Sequence, residues 1–247
     1  MTEDTLDKFL DGRVVARQPE RGFRSGLDAV MLAAAVPARR GQRVLEMGAG
    51  VGIASLCLLA RVQGCHITGI EIDPSLVALA NRNADENGRA TNARFVEADV
   101  CNLPQSLRDG FDHVLCNPPF YGEEGMRSPD MARARATHDA GTLGVWIKVG
   151  MKRTAAKGTF TAILPPDRLG EALAALPSRG IRLFPLWPRA GEPAKRIIVQ
   201  AVQGSRTPLA LLPGLVLHQS GNRFRPEASA ILRDGAALTL STKGKSP

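Results

Sequence analysis

Ten residues constrain the fold of this chain more than any others: Arg43-Val44-Leu45-Glu46-Met47-Gly48-Ala49-Gly50-Val51-Gly52. The run to Met47 reads as a strand of the buried type, and the run from Ile53 to Arg61 reads as a helix. Between them, Gly48 permits a tight turn, Gly50 lets a ligand approach the backbone, and Gly52 allows close helix packing. Strand, glycine turn and helix make a nucleotide-binding βα unit. The turn alone does not choose which nucleotide cofactor is bound.

The next fifty residues support the unit. A second strand, His66 to Glu71, ends in an acid about 20 residues beyond the glycines, the spacing of a ribose-binding carboxylate. Glu71 is read either as that carboxylate or as a surface acid at a strand end. Asp73-Pro74 opens a helix with Asp as N-cap and Pro at the first position. Its apolar face is Leu76, Val77, Leu79, Ala80 and Ala84, and Asn87-Gly88 closes it. The third strand, Ala93 to Ala98, delivers Asp99, and the fourth, Phe111 to Cys116, delivers Asn117. In an open parallel sheet Gly48, Glu71, Asp99 and Asn117 would share the edge where ligands bind.

The fourth strand stops in Asn117-Pro118-Pro119-Phe120-Tyr121. Two prolines cannot donate to a β-ladder and hold the chain extended, so the backbone leaves the sheet stiffly. An amide side chain, a free proline carbonyl and an aromatic face are thereby fixed together. Two acceptors can take both N–H bonds of an exocyclic amine while the ring stacks on the attached base. The charged, irregular segment Gly122 to Asp139 comes directly after and is the natural substrate lid.

The rest of the chain extends the same α/β pattern. The leader, residues 1 to 22, reads as loose, and a helix rich in good formers runs from Gly26 to Val36. A helix holding Leu143, Val145, Trp146, Ile147 and Val149 is followed by the strand Gly158 to Leu164 and the helix Asp167 to Leu176. The strands Ile181 to Leu186 and Ile197 to Val202 are joined by a short basic turn, so they pair antiparallel at the sheet's edge. From Ser205 onward apolar patches recur without periodicity. The expected organisation is a leader and helix over 1–40, a catalytic domain over 41–204, and an extension over 205–247.

Charge and composition exclude several classes. No apolar run approaches the ~20 residues of a membrane span, and the acidic N-terminus lacks the regions of a signal peptide. Cys57, Cys65, Cys101 and Cys116 form no CxxC pair and read as reduced core residues. The four histidines are widely spaced, so no metal site is expected and the compartment is cytoplasmic. Residues 1 to 120 carry 13 Lys and Arg against 15 Asp and Glu, whereas residues 121 to 247 carry 19 against 9. A basic second half in a chain of pI ≈ 9.9 suits a polyanionic partner.

Glu46 to Gly52, Glu71, Asp99 and Asn117-Pro118-Pro119-Phe120 together resemble the motif series of class I S-adenosylmethionine methyltransferases that modify exocyclic or amide nitrogens. Within that class, Arg24-Ser25-Gly26-Leu27-Asp28 and the run Arg189 to Arg196 are similar to the tRNA1(Val) adenine-N6 methyltransferase family. The resemblance runs from Gln18 to Val202. Where relatives often carry Asn-Pro-Pro-Tyr-Phe, this chain has Phe120 and then Tyr121.

The resemblance implies a Rossmann-like seven-stranded sheet, mostly parallel with an antiparallel edge strand, and S-adenosylmethionine as cofactor. Glu46, Gly48, Gly50, Gly52, Glu71, Asp99 and Asn117 would bind the cofactor, with Asp28 near its methionine end. Asn117, Pro118 and Phe120 would carry catalysis. Phe120, Tyr121, Lys195 and Arg196 would bind tRNA, with the two basic residues on its phosphates. An adenine N6 lone pair is delocalised into the ring. Hydrogen bonds from both N6 hydrogens to the Asn117 oxygen and the Pro118 carbonyl would localise it, leaving in-line positioning as the main requirement. A flipped base would stack on Phe120. A monomer acting on tRNA is expected. A protein glutamine N5-methyltransferase and an RNA guanine-N2 methyltransferase remain alternatives.

Overall fold

The chain enters its fold through a β-hairpin, not the loose leader expected from its sequence. In the computed structural model, which describes residues 4–21, 24–108, 110–119, 143–221 and 223–241, β1 (Asp4–Phe9) and β2 (Val14–Pro19) pair antiparallel. The outer edge of β2 is covered by two amides from a later helix. Asn83 accepts from the Arg17 N–H (2.8 Å) and donates to the Arg17 carbonyl (3.0 Å). Asn87, one helical turn on, does the same for Val15 (3.0 and 2.6 Å). The two side chains stand in for a partner strand and remove an exposed edge. Asn83 is fully buried and also donates to the Val51 carbonyl, fastening the hairpin to the glycine turn. Replacing Asn83 by Ala strands several buried backbone groups. It should cost about 3 kcal/mol in urea unfolding, whereas a cost near zero would mean that the hairpin is held by other contacts.

The central sheet alternates with helices in chain order. After α1 (Leu27–Ala35) come β3 (Arg43–Met47), α2 (Ile53–Arg61), β4 (His66–Glu71), α3 (Pro74–Glu86), β5 (Ala93–Glu97) and β6 (Phe111–Cys116). Then follow α4 (Leu143–Arg153), β7 (Thr154–Leu164), α5 (Leu169–Ala175), β8 (Ile181–Trp187) and β9 (Arg196–Val202). Two short strands, β10 (Ala210–Leu211) and β11 (Leu215–Val216), and α6 (Pro226–Leu232) complete the described elements. The nine-stranded sheet runs β10-β8-β9-β7-β6-β3-β4-β5, with β11 also on β8. Its core of seven strands is the mostly parallel Rossmann-like sheet expected.

The antiparallel strand is β9, which lies one place in from the edge, between β7 and β8. The crossover through α5 sets β8 parallel to β7 at one strand's distance, and the hairpin return fills the gap. Apolar side chains cover both faces, as a parallel sheet requires. One core layer collects α1, α2 and α6 with the hairpin, and the other collects α4, α5 and the turns near Val100 and Leu107. Asp73 caps α3 as expected, accepting from the Ser75 N–H at 2.8 Å.

The extension beyond Ser205 folds onto this core. β10 and β11 add to the free edge of β8, Ala228 and Ile231 are buried, and the Leu238 N–H donates to the Ala34 carbonyl at 2.8 Å. Cys57, Cys65 and Cys116 are buried as expected, but Cys101 is exposed. It sits in a 3-10 turn just past Asp99, outside the core in which it was expected.

Candidate active site

Strand register sets the four functional strand ends side by side. Met47 pairs with Ile70 on β4 and with Cys116 on β6, and Glu71 pairs with Glu97 on β5. Gly48 and Asn117 therefore leave adjacent strands at the same level, Glu71 ends the strand on the other side of β3, and Asp99 lies two residues beyond Glu97. The convergence expected from the sequence is present among the described residues.

The three glycines of the turn are required for different reasons. All have left-handed backbones, with φ of 66°, 54° and 84° at Gly48, Gly50 and Gly52. A Cβ on Gly48 would lie 2.7 Å from the Trp146 ring of α4, and one on Gly52 would lie 2.7 Å from the Phe95 ring of β5. At Gly50 nothing lies within 4 Å, so this is the turn's open side. Gly50 thus leaves the turn open on the side where a ligand was expected, while Gly52 packs against the sheet.

Glu71 fixes the geometry around that opening. Its Oε2 accepts from the Gly50 N–H at 2.9 Å, and its Oε1 accepts from Ile72 and Asp73 at 2.8 and 3.2 Å. Three backbone donors hold the carboxylate, and Oε2 keeps room for a further donor. Ile72 beside it is 40% exposed, an apolar surface at the ligand edge that no sequence motif marks. Asp99 is exposed and caps the turn after β5, its Oδ1 accepting from Cys101 at 2.8 Å.

Glu46 is buried behind the turn, 4% exposed. It accepts from the backbone N–H of Ser55 at 3.1 Å and from the Ser55 hydroxyl. Burial raises its pKa to about 7, the Ser55 hydrogen bonds oppose that rise, and the nearby Glu71 charge adds to it. Ser55, a hydroxyl in the otherwise apolar first turn of α2, was not singled out from sequence; its place one turn past the glycines was the available signal. The folded state holds the Glu46 proton that the unfolded chain releases near 4.5. The associated stability is full below pH 4.5 and lost as pH rises through 7. Glu46→Gln, which keeps an acceptor for Ser55 without the charge, should therefore gain about 3 kcal/mol relative to the parent between pH 4.5 and 8.5. Urea melts at the two pH values measure it, and a pH-independent difference would contradict it.

Asn117 is half-buried, Pro118 is buried and Pro119 is exposed. No described residue hydrogen-bonds to the Asn117 side chain. Burial pushes the preceding Cys116 thiol far above its ordinary range, so it offers no nucleophile. Phe120, Tyr121 and the lid Gly122 to Asp139 lie outside the described residues.

The flanking motifs are built into the frame. Gln18 brackets Ser25, accepting from its N–H at 2.8 Å and donating to its carbonyl at 3.1 Å, and Arg24 pairs with Asp7. Asp28 pairs with Arg196 at 2.6 Å. These two residues, 168 positions apart, were expected at the methionine end of the cofactor and on RNA phosphate respectively. Lys195 is exposed in the β8–β9 turn. No cluster of metal-ligating side chains occurs among the described residues, and no described helix is long and apolar enough to cross a membrane.

A parallel sheet with a glycine turn, an adjacent carboxylate and a polar strand end has the form of a Rossmann-like nucleotide-binding site. Comparison with known proteins makes the class specific. Residues 26–142 match the methyltransferase small domain family. A Shewanella baltica protein named tRNA1(Val) (adenine(37)-N6)-methyltransferase is 27% identical over 220 residues, 86% of this chain and 92% of its own. Its counterpart from another strain of that species is 30% identical over 183 residues, 72% and 76% of the two chains. A solved structure from Agrobacterium tumefaciens, described as a predicted O-methyltransferase, superposes with a TM-score of 0.73 at 27% identity, covering 87% of this chain and 100% of that one. The chain belongs to the methyltransferase small domain family of S-adenosylmethionine-dependent methyltransferases. S-adenosylmethionine is its cofactor, and the open side of Gly50 beside the Glu71 carboxylate fits a ribose-bearing ligand.

Proposed function

We propose that this protein methylates the exocyclic N6 of an adenine in tRNA, acting as a cytoplasmic monomer. The observation that carries the reading is Asn117: a side-chain amide without a hydrogen bond to any described residue, level with Gly48, at a strand end stiffened by Pro118 and Pro119. The relatives named tRNA1(Val) (adenine(37)-N6)-methyltransferase, aligned over most of this chain, support the same reading.

Bound S-adenosylmethionine supplies an electrophilic methyl group. Gly48, Gly50 and Gly52 would form the turn that holds it, Glu71 would accept from the ribose hydroxyls, Ile72 would offer the adenine an apolar surface, and Asp99 would accept from its amine. Glu46, whose pKa burial raises to about 7, would when ionised favour a cationic group bound at the turn. At the acceptor, the Asn117 oxygen and the Pro118 carbonyl receive the two N6 hydrogens, and Phe120 and Tyr121 wall the base. Two acceptors suit an amine better than a hydroxyl, which has one hydrogen to donate. Lys195 supplies a phosphate contact beside the site, and Arg196 supports it through its pair with Asp28.

The test is transfer of labelled methyl from S-adenosylmethionine to total RNA from cells lacking this protein, followed by nucleoside digestion and mass analysis. Label in N6-methyladenosine of a tRNA is expected. Label in N2-methylguanosine, or in a protein glutamine with RNA unlabelled, would replace the reading with one of the other two chemistries.

A further inference from the structure

The described cations of the basic second half divide between the two edges of the sheet: Arg168, Arg189, Lys195, Arg196, Arg223 and Arg225 lie at the candidate active-site edge. The described loops at that edge of the sheet are rich in acids: Glu71, Asp73, Glu97, Asp99 and Asp167. A further set of six cations, three from each half of the chain, lies at the opposite edge, where the parallel strands begin. Arg40 and Arg43 precede and open β3, Arg108 precedes β6, Lys157 lies in the first part of β7, Arg179 precedes β8, and Arg206 follows β9. All six are exposed. The loops touch one another: the Arg179 guanidinium donates to the Arg206 carbonyl at 3.2 Å, and the Lys157 N–H donates to the Gln203 carbonyl at 3.0 Å.

Two features bear on what this edge can hold. None of the six cations forms an ion pair with a described residue. The described acid among the loops is Asp112, and its carboxylate accepts from the Arg43 backbone N–H. Lys157 is also held with φ of 65°, a conformation costly for a residue with a Cβ, where the β6–β7 register shifts. Such irregularities re-aim side chains at functional edges.

From β3 to β8 the row crosses four strand intervals, roughly 19 Å at about 4.8 Å each. We infer that this far edge is a second RNA-binding surface, which holds the phosphates of the substrate at a distance from the modified base. The inference rests on the reading of the protein as a tRNA methyltransferase. Strands of six residues put the two edges roughly 20 Å apart, so a full tRNA can reach both, while a short hairpin carrying the modified loop occupies the active-site edge alone.

The test is the triple variant Arg40→Gln/Lys157→Gln/Arg179→Gln, whose positions lie outside the cofactor site. Methylation kinetics are measured on full-length tRNA and on the short hairpin, with tRNA affinity followed against salt. KM for full-length tRNA should rise at least about tenfold and the log–log salt slope should fall by about 2 to 3, one for each lost phosphate contact. The hairpin KM and the calorimetric affinity for S-adenosylmethionine should not change. The charge-retaining variant Arg40→Lys/Lys157→Arg/Arg179→Lys should behave as the parent. An unchanged tRNA KM and salt slope, or equal losses on tRNA and hairpin, would overturn the far-edge surface and leave the tRNA reading standing. Failure of the parent to methylate any RNA would remove that reading, and the surface with it.

Discussion

Asn117→Ala should lower kcat by about 10²–10³-fold, a loss of about 3–4 kcal/mol of the kind seen when one positioned transition-state partner is removed. Affinity for S-adenosylmethionine should stay within about tenfold, less than 1.4 kcal/mol. The contrast arises from where the residue stands. Asn117 leaves β6 at the level of Gly48, but the glycine turn and the Glu71 clamp that shape the cofactor side belong to β3 and β4. No described residue hydrogen-bonds to the Asn117 amide, so its removal strands no buried group and need not disturb the fold. Asn117→Asp keeps an acceptor oxygen in place and should retain more activity than Ala. Steady-state kinetics with calorimetry separate these effects. Full activity in the Ala variant would dismiss Asn117 as an acceptor for the target amine.

Local pattern carried most of the fold. The apolar runs of β3 to β9 and the Asp73-Pro74 helix start were legible because each is fixed by neighbours within a few residues. The hairpin over Asp4–Pro19 was not. Its strands are only half-buried, and its outer edge is satisfied by Asn83 and Asn87, some seventy positions away. The extension after Ser205 was opaque for a related reason. β10 and β11 are two residues each, too short for any period, and they exist because β8 offers an unpaired edge.

At the site, strand ends could be read because an acid or amide after an apolar run marks its own position. Pairs that meet across the fold could not. Trp146 against Gly48, Ser55 on Glu46 and Arg196 on Asp28 are tertiary pairs that spacing does not encode. The last of these changes an expectation, because the guanidinium proposed for RNA already faces a carboxylate. The charge imbalance between the halves was legible in the sequence, but the set of cations at the far edge was not. Loops from both halves meet at the far edge, and only the sheet order brings Arg40 and Arg43 alongside Lys157 and Arg179.

Glu71→Ala should have the complementary effect to Asn117→Ala. The carboxylate accepts from Gly50, Ile72 and Asp73, and charge-assisted bonds of this kind contribute about 1.5–3 kcal/mol each before water replaces some of them. Its loss frees the Gly50 N–H at the open side of the turn and removes the acceptor for ribose together. S-adenosylmethionine affinity should fall by at least about 10²-fold, near 3 kcal/mol, and the melting temperature by several degrees. Glu71→Gln is the sharper probe. An amide can satisfy Ile72 and Asp73 through its oxygen, but it then turns an NH₂ toward the Gly50 N–H, setting donor against donor. The Gln variant should therefore melt between the Ala variant and the parent, having kept two of the three bonds, yet lose most of the affinity lost by Ala. At saturating cofactor both variants should recover a kcat within about tenfold of the parent, because the acceptor pair at Asn117 is untouched. A Gln variant with parental affinity would show that the Glu71 charge serves the turn alone and that the ribose is held elsewhere.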